Sequence, residues 1–341
     1  MGRWISNFNT TAELEAFMQT DGYSEPHVSL TKDSGEVHYF ETHDYSQDYL
    51  TFTATESGTF KFSGNSISYS LDGGETWTTL ASNTNSPTVS AGNKILWKAT
   101  LTPAQYDGIG AFSSTANFTV EGNPMSLLYG DNFKGQTSLS GKDYAFLGLF
   151  RSCTRLTSAE NLSLPATTLA NMCYGGMFFG CTSLTTAPVL SATTLATSCY
   201  ENMFRNCSSL TTAPQLSATT LVSSCYYGMF QGCTSLTTAL ELPATTLADG
   251  CYYSMFSGCT SLTTAPELPA TTLAESCYSY MFQGCTSLNS IKCLATYLYG
   301  GSTINWVRGV AASGTFTKAA DMDDWTEGNN GIPNGWSVVG A

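Results

Sequence analysis

Charge is scarce in this sequence, and positive charge is scarcest. Asp, Glu, Lys and Arg make up 11 % of 341 residues, with 13 Lys and Arg against 26 Asp and Glu, for a net charge of −13. No Lys/Arg cluster offsets that balance, so repulsion from phosphate excludes a nucleic-acid partner. Histidine is limited to His27, His38 and His43. No Ser/Cys–His–Asp pattern and no Gly-rich phosphate loop is present, which leaves a chain that is not an enzyme and needs no cofactor. No stretch approaches the ~20 apolar residues of a membrane span, so membrane insertion is excluded. The N-terminus lacks the apolar core and cleavage site of a signal peptide. The expectation is a chain that works in the cytosol or leaves the cell by some other route. CxxC spacing is also missing, which argues against a metal site.

What the sequence has is repetition. Cys173-Tyr-Gly-Gly-Met-Phe-Phe-Gly-Cys181 is followed by Thr-Ser-Leu184, then by Pro188 and Leu190, then by Ala192-Thr-Thr-Leu195. The first cysteine returns at Cys199, Cys225, Cys251 and Cys277, the second at Cys207, Cys233, Cys259 and Cys285, always 26 residues on. A fixed period of this size predicts a solenoid whose coils bury their apolar faces against each other. Ala145 to Cys153 matches the same phrase with Ala and Leu149 replacing Cys and Met, giving six coils. At the ~4.8 Å strand spacing they would stack to roughly 25–30 Å.

Within a coil, Leu184, Leu190 and Leu195 face inward. The pairs Met177–Phe178, Met203–Phe204, Met229–Phe230, Met255–Phe256 and Met281–Phe282 form the opposite wall. Ser183 to Leu190 reads as a strand, with Pro188, Pro214 and Pro266 at its edge and Leu240 in their place in one coil. The segment from Cys173 to Cys181 reads as a short helix with Cys173, Met177 and Cys181 on one face. Its two cysteines would lie about 12 Å apart, too far for a bridge within a repeat. Buried, reduced cysteine ladders are expected, with disulfides between coils as the alternative.

The rest of the chain divides around this array. Residues 1–45 read as a small docking module, with a helix over 10–18 and a hairpin of Val28–Thr31 against Val37–Phe40. Residues 46–131 read as an immunoglobulin-like sandwich of short alternating strands: Tyr49–Ala54, Thr59–Phe62, Ile67–Ser70, Trp77–Leu80, Ile95–Lys98 and Ala116–Val120. Ser70-Leu-Asp72-Gly-Gly74-Glu-Thr76-Trp77 resembles the Asp-box of sialidase propellers, but a single copy means a β-turn. Residues 132–294 form the solenoid. Residues 295–341 read as its cap, with Trp306, Phe316, Trp325 and Trp336 covering the open end. Asp321, Asp323 and Asp324 lack EF-hand spacing and read as a solvated loop, with calcium as the alternative.

The phrases Phe178-Phe-Gly-Cys181-Thr-Ser-Leu184 and Phe282-Gln-Gly-Cys285-Thr-Ser-Leu288 resemble the BspA-like leucine-rich repeats, over residues 145–294. The Gly130-Asp-Asn-Phe133 segment and the ending from Gly314 to Trp336 resemble proteins of gut Bacteroidales and their tailed phages. The leader, from Glu25 to Leu30 and Glu36 to Tyr39, resembles N-termini of virion proteins of crAss-like phages. The resemblance implies a mainly β phage appendage at the virion surface, a fibre or other surface protein. It would join other virion proteins through the leader and present its repeats to host-surface glycan or protein. A homo-oligomer follows, a trimer by analogy with phage fibres. The alternatives are a bacterial cell-surface adhesin and a purely structural decoration protein. Candidate contact residues are Tyr174, Tyr200, Tyr226, Tyr252 and Tyr278, since tyrosine stacks on sugars and anchors interfaces. The competing reading packs these rings along the solenoid flank.

Overall fold

A computed structural model describes residues 4–8, 32–33, 36–40, 43–103, 111–238 and 240–341. The protein is mainly β, and the longest α-helix among the described residues is the single turn Ser126–Tyr129. The chain divides into two compact units, Met1–Tyr45 and Ser46–Ala341.

The first unit holds strands β1 (Trp4–Phe8), β2 (Lys32–Asp33) and β3 (Glu36–Phe40), in the order β1-β3-β2. β2 and β3 pair antiparallel, with Asp33 opposite Glu36. β3 covers the expected second arm Val37–Phe40, and β1 supplies a partner the sequence did not announce. The expected helix over 10–18 and the strand over 28–31 lie outside the described residues.

In the second unit the alternating segments form strands as their period of two predicts. These are β4 (Leu50–Ala54), β5 (Phe60–Phe62), β6 (Ile67–Ser70), β7 (Thr78–Leu80), β8 (Lys94–Lys98), β9 (Phe112–Ser114) and β10 (Phe118–Gly122). With β11 (Leu156–Leu162), six of them build one sheet in the order β11-β10-β4-β8-β6-β7, while β5 and β9 pair separately. The two sheets meet through aromatic rings. Phe52 on β4 lies 5.4 Å from Phe60, 5.5 Å from Trp97, 4.8 Å from Phe112 and 5.0 Å from Phe118, centroid to centroid.

A boundary at residue 131 separates sequence patterns, not folding units. β11 belongs to the first repeat, yet it pairs in parallel with β10, Phe118 opposite Leu156. Phe150 of that repeat stacks on Phe112 at 5.8 Å, touches Phe52 at 5.8 Å, and stacks on Phe178 of the next repeat at 5.5 Å. One sheet and one core therefore run from the aromatic cluster into the repeats.

The segment between the paired cysteines is not a helix. Every fourth residue takes the left-handed conformation: Met172, Gly176 and Gly180, then Ser198, Asn202 and Asn206, and so on. A right-handed helix cannot absorb such residues. The hydrogen bonds alternate instead. Met177 N–H donates to Tyr174 O and Cys181 N–H to Phe178 O, each three residues back. The residues between them donate to the next repeat, Tyr174 to Cys199 O, Gly176 to Glu201 O and Phe178 to Met203 O. A chain of four-residue turns shares its spacing with i,i+4 helical stacking, which is why the pattern misleads. At Gly232 the conformation is demanded twice over, since a Cβ there would also meet Asn206 Oδ1 of the preceding repeat at 2.4 Å.

Ser183 to Leu190 is likewise not a strand; single bridges such as Ser158 to Thr186 and Thr212 to Thr238 mark the ladder. Proline explains the difference, because it lacks an N–H and fixes φ. Where Glu160 or Lys292 occupies the position of Pro188, full strands form, β11 and β12 (Ser290–Cys293). Leu240 escapes proline but sits between neighbours that carry Pro214 and Pro266. Leu184 and Leu190 are buried as expected, while Leu195 is only half-buried.

The tail continues the array instead of leaving it. Gly301, Asn305 and Gly309 repeat the left-handed positions, and Tyr278, Tyr280, Phe282 and Gly284 donate to Ser302, Ile304, Trp306 and Arg308. Strands β13 (Thr315–Lys318) and β14 (Ser337–Gly340) extend β12 in parallel, Ser290 to Thr315 to Ser337. Trp306 and Phe316 are fully buried, with Trp325 and Trp336 close to it.

Candidate functional site: the flank of the repeat stack

Tyr174, Tyr200, Tyr226, Tyr252 and Tyr278 are inside the protein. None exposes more than 2 % of its surface. They form a single column, with centroids 5.6–6.1 Å apart and planes within 21° of parallel, closed by Phe146 at one end and Trp306 at the other. Each ring face meets the same ring of the next repeat, so no face is free to stack on a sugar. The expectation that these residues contact a ligand is corrected accordingly. A second column, Phe150 to Phe282, runs beside the first at 5.3–5.9 Å spacing.

The cysteines line the same interior. All twelve are free and buried. Cys173, Cys199, Cys225, Cys251 and Cys277 pack against the tyrosine column. Cys181, Cys207, Cys233, Cys259 and Cys285 each donate an S–H hydrogen bond of 3.0–3.1 Å to the phenylalanine carbonyl of the preceding repeat. That carbonyl already accepts a backbone N–H from three residues on, so the thiol takes its second lone pair. Burial pushes the thiols up, Cys173, Cys225 and Cys285 to about 12, which removes the thiolate that nucleophilic or metal chemistry requires. Among the described residues, no group of three His, Cys, Asp or Glu side chains is placed to hold a metal. Asp323 accepts from Lys318 Nζ at 2.9 Å, while Asp321 and Asp324 are exposed.

The Asp-box look-alike is a turn between β6 and β7. Asp72 accepts from Thr76 N–H, Thr76 Oγ1 and Ser70 Oγ, and Trp77 Nε1 donates to Gly74 O. These bonds, those of Thr76 first, hold the Asp72 carboxyl well below the usual carboxylate range. A groove of about 340 Å³ lies nearby, lined by Asn65, Ser68, Thr79 and Thr100 among others. No titratable group lines it.

The surface that does carry chemistry lies one residue away from the buried tyrosines. In the repeats ending with Cys181 to Cys285, the residue after that tyrosine is Gly175, Glu201, Tyr227, Tyr253 or Ser279; the residue after the column phenylalanine is Phe179, Arg205, Gln231, Ser257 or Gln283. Tyr227 and Tyr253 stack at 4.6 Å with planes 5° apart, and Tyr280 joins Tyr253 at 5.2 Å. All three are half-buried. Partial burial first, then the nearby Glu201 carboxylate, pushes the Tyr227 phenol up, against the opposing influence of Arg205. Arg205 and Arg151 lie on Phe179, with guanidinium carbons 5.6 and 4.4 Å from the ring centroid. Sequence reasoning missed this flank, although its signal was visible as the doublets Tyr226-Tyr227 and Tyr252-Tyr253.

No protein-family model, no curated protein and no solved structure matches this chain. The flank offers guanidinium groups, aromatic edges, phenol hydroxyls and amides on a rigid repeating frame. Such groups recognise a partner without a covalent step.

Proposed function

We propose that this chain is a non-enzymatic appendage protein of a phage virion, whose repeats form a BspA-like leucine-rich-repeat solenoid directed at the surface of a bacterial host. The observation that carries this reading is the stack itself. Backbone hydrogen bonds and stacked rings tie each repeat to its neighbours, alternating with bonds inside the repeat, and leave a flank of variable, half-buried side chains beside the ring columns. That division suits a rigid presenter of a recognition surface. The two sheets packed on Phe52 support an immunoglobulin-like sandwich as the base of the solenoid. The separate compact unit of residues 1–45 supports an attachment module that joins other virion proteins. In this reading the protein assembles in the host cytoplasm, forms a homo-oligomer, and meets host-surface glycan or protein.

Mass spectrometry of purified particles tests the reading, together with adsorption by particles assembled with full-length protein or with protein lacking residues 1–45. Presence of the full-length chain, its loss on truncation and a parallel drop in adsorption are expected. Absence from particles with presence on bacterial cells would make it an adhesin. Presence in particles with unchanged adsorption on its removal would make it a decoration protein.

A further inference from the structure

Arginine is rare here, and its placement is not even. Of five arginines in the sequence, Arg151, Arg205 and Arg308 occupy the same position of three different repeats, directly after the inner residue of the phenylalanine column. Arg151 and Arg205 hold Phe179 between them. Neither has a carboxylate in ion-pair reach among the described residues, where the ion pairs are made by lysines. Arg205 Nε is buried without a hydrogen-bond partner, and the remaining contact of its guanidinium is a long 3.4 Å bond to Asn202 Oδ1. In a chain of net charge −13, which has carboxylates to spare, two planar cations fixed on an aromatic ring and left unpaired form a prepared site for an anion.

The site continues into the next repeats. A Cβ at Gly228 would meet both Asn202 Oδ1 and Gln231 Oε1, which places the arginine repeat and the Tyr227 repeat edge to edge on this flank. There the faces of Tyr227 and Tyr253 cover each other at 4.6 Å, so the rings present edges and hydroxyls, not stacking faces. The half-buried amide of Gln231 lies in the neighbouring column. Exposed aliphatic side chains are few along this run, which disfavours an apolar protein interface; a polyhydroxylated partner suits rows of hydrogen-bonding groups. We infer that this flank, from Arg151 through Phe179 and Arg205 to Tyr227 and Tyr253, binds an extended polysaccharide bearing carboxylate groups, with the guanidiniums on the carboxylates and the tyrosine edge along the sugar hydroxyls. The inference rests on the host-surface reading and narrows its ligand to an acidic glycan.

The test uses the full-length protein with polygalacturonate, its methyl ester, polyglutamate and intact host cells. The double variant Arg151→Gln/Arg205→Gln keeps the fold, because Gln231 and Gln283 already stand at that position. Tyr253→Ser copies Ser279 in the same way. Binding of polygalacturonate is expected, weakened at least tenfold by the arginine variant, by esterification and by raising salt from about 50 to 300 mM, where exposed charges are screened. Tyr253→Ser is expected to weaken it severalfold. Equal binding of acid and ester would overturn the acidic ligand while keeping a glycan. Equal binding of polyglutamate would make the site one for acidic peptide. Binding to cells without binding to polygalacturonate would overturn this inference and leave the host-surface reading standing; binding to neither would remove both.

Discussion

Truncating one ring in the middle of the buried column separates a core tyrosine from a surface one. Tyr226 lies between Tyr200 and Tyr252, 5.8 Å from each, and exposes 1 % of its surface. Tyr226→Ala removes a fully buried aromatic, which costs about 3–5 kcal/mol when the surroundings cannot collapse. Collapse is blocked here, because the residues of the rings above and below are held by their own backbone bonds, Tyr200 N–H to Cys225 O and Tyr252 N–H to Cys277 O. Two ring contacts worth about 0.5–1.5 kcal/mol each push the cost to the upper part of that range. Tyr253→Ala, one residue into the flank of the next repeat, removes a half-buried ring and should cost about 1–2 kcal/mol. Urea unfolding followed by circular dichroism measures both. Because a repeat contacts only its neighbours, the Tyr226 variant should also split the transition, with amide exchange accelerated in the repeats on either side. A cost below about 1 kcal/mol for Tyr226→Ala, or equal costs for the two variants, would refute the buried column.

Other outcomes follow from the same interior. Tyr174 Oη is buried without a hydrogen-bond partner, and Phe146 holds the same place one repeat earlier, so Tyr174→Phe should raise stability by about 1 kcal/mol in the same urea assay. The buried thiols titrate higher in the fold, several at about 12, than their ordinary value of 9.0. The folded state therefore binds more protons above pH 9, and stability, complete below that pH, should fall by about 1.4 kcal/mol per pH unit per thiol until about pH 12. Alkaline denaturation monitored with thiol-reactive dye should show ionisation and unfolding together. Deleting residues 1–45 should leave the rest folded with its own unfolding transition, whereas starting the chain at residue 132 should give an insoluble product, because β11 loses β10 and Phe150 loses Phe52 and Phe112.

Much of this fold was legible because stacked repeats force the same residue to pack on its own copy. The inward places of Cys173, Met177, Phe178, Cys181 and Leu184 could be read from recurrence alone, and each is fully buried. Backbone conformation was less legible. A four-residue spacing of apolar positions fits a helix and a run of turns equally well, and the Gly, Asn and Ser that fill most of the left-handed places distinguish them. The same three-point signal, Gly301, Asn305 and Gly309, marks the seventh repeat after the cysteines have gone. The shared sheet of β10 and β11 left no trace in sequence, since parallel pairing across a change of pattern has no local signature.

The candidate site reveals a sharper rule. Tyr174 to Tyr278 attracted attention because they recur without exception, yet in a stacked array unbroken recurrence is what burial produces. A ring that packs face to face with its copy admits no substitution except another flat ring, as Phe146 demonstrates at the head of the column. Freedom to vary belongs to positions outside the two unbroken ring columns, and there the residues differ from repeat to repeat: Glu201, Tyr227, Tyr253 and the buried Ser279 in one column, Arg205, Gln231 and the buried Ser257 in the next. Recognition of anything other than the protein itself must come from side chains of that second kind. The arginines concentrate the point, because this acidic chain places three of its five at a single variable position, and Arg151 and Arg205 have no ion-pair partner among the described residues. An array built for stability alone would have neutralised them with carboxylates from adjacent repeats, as Lys292 is neutralised by Glu267 at 3.1 Å.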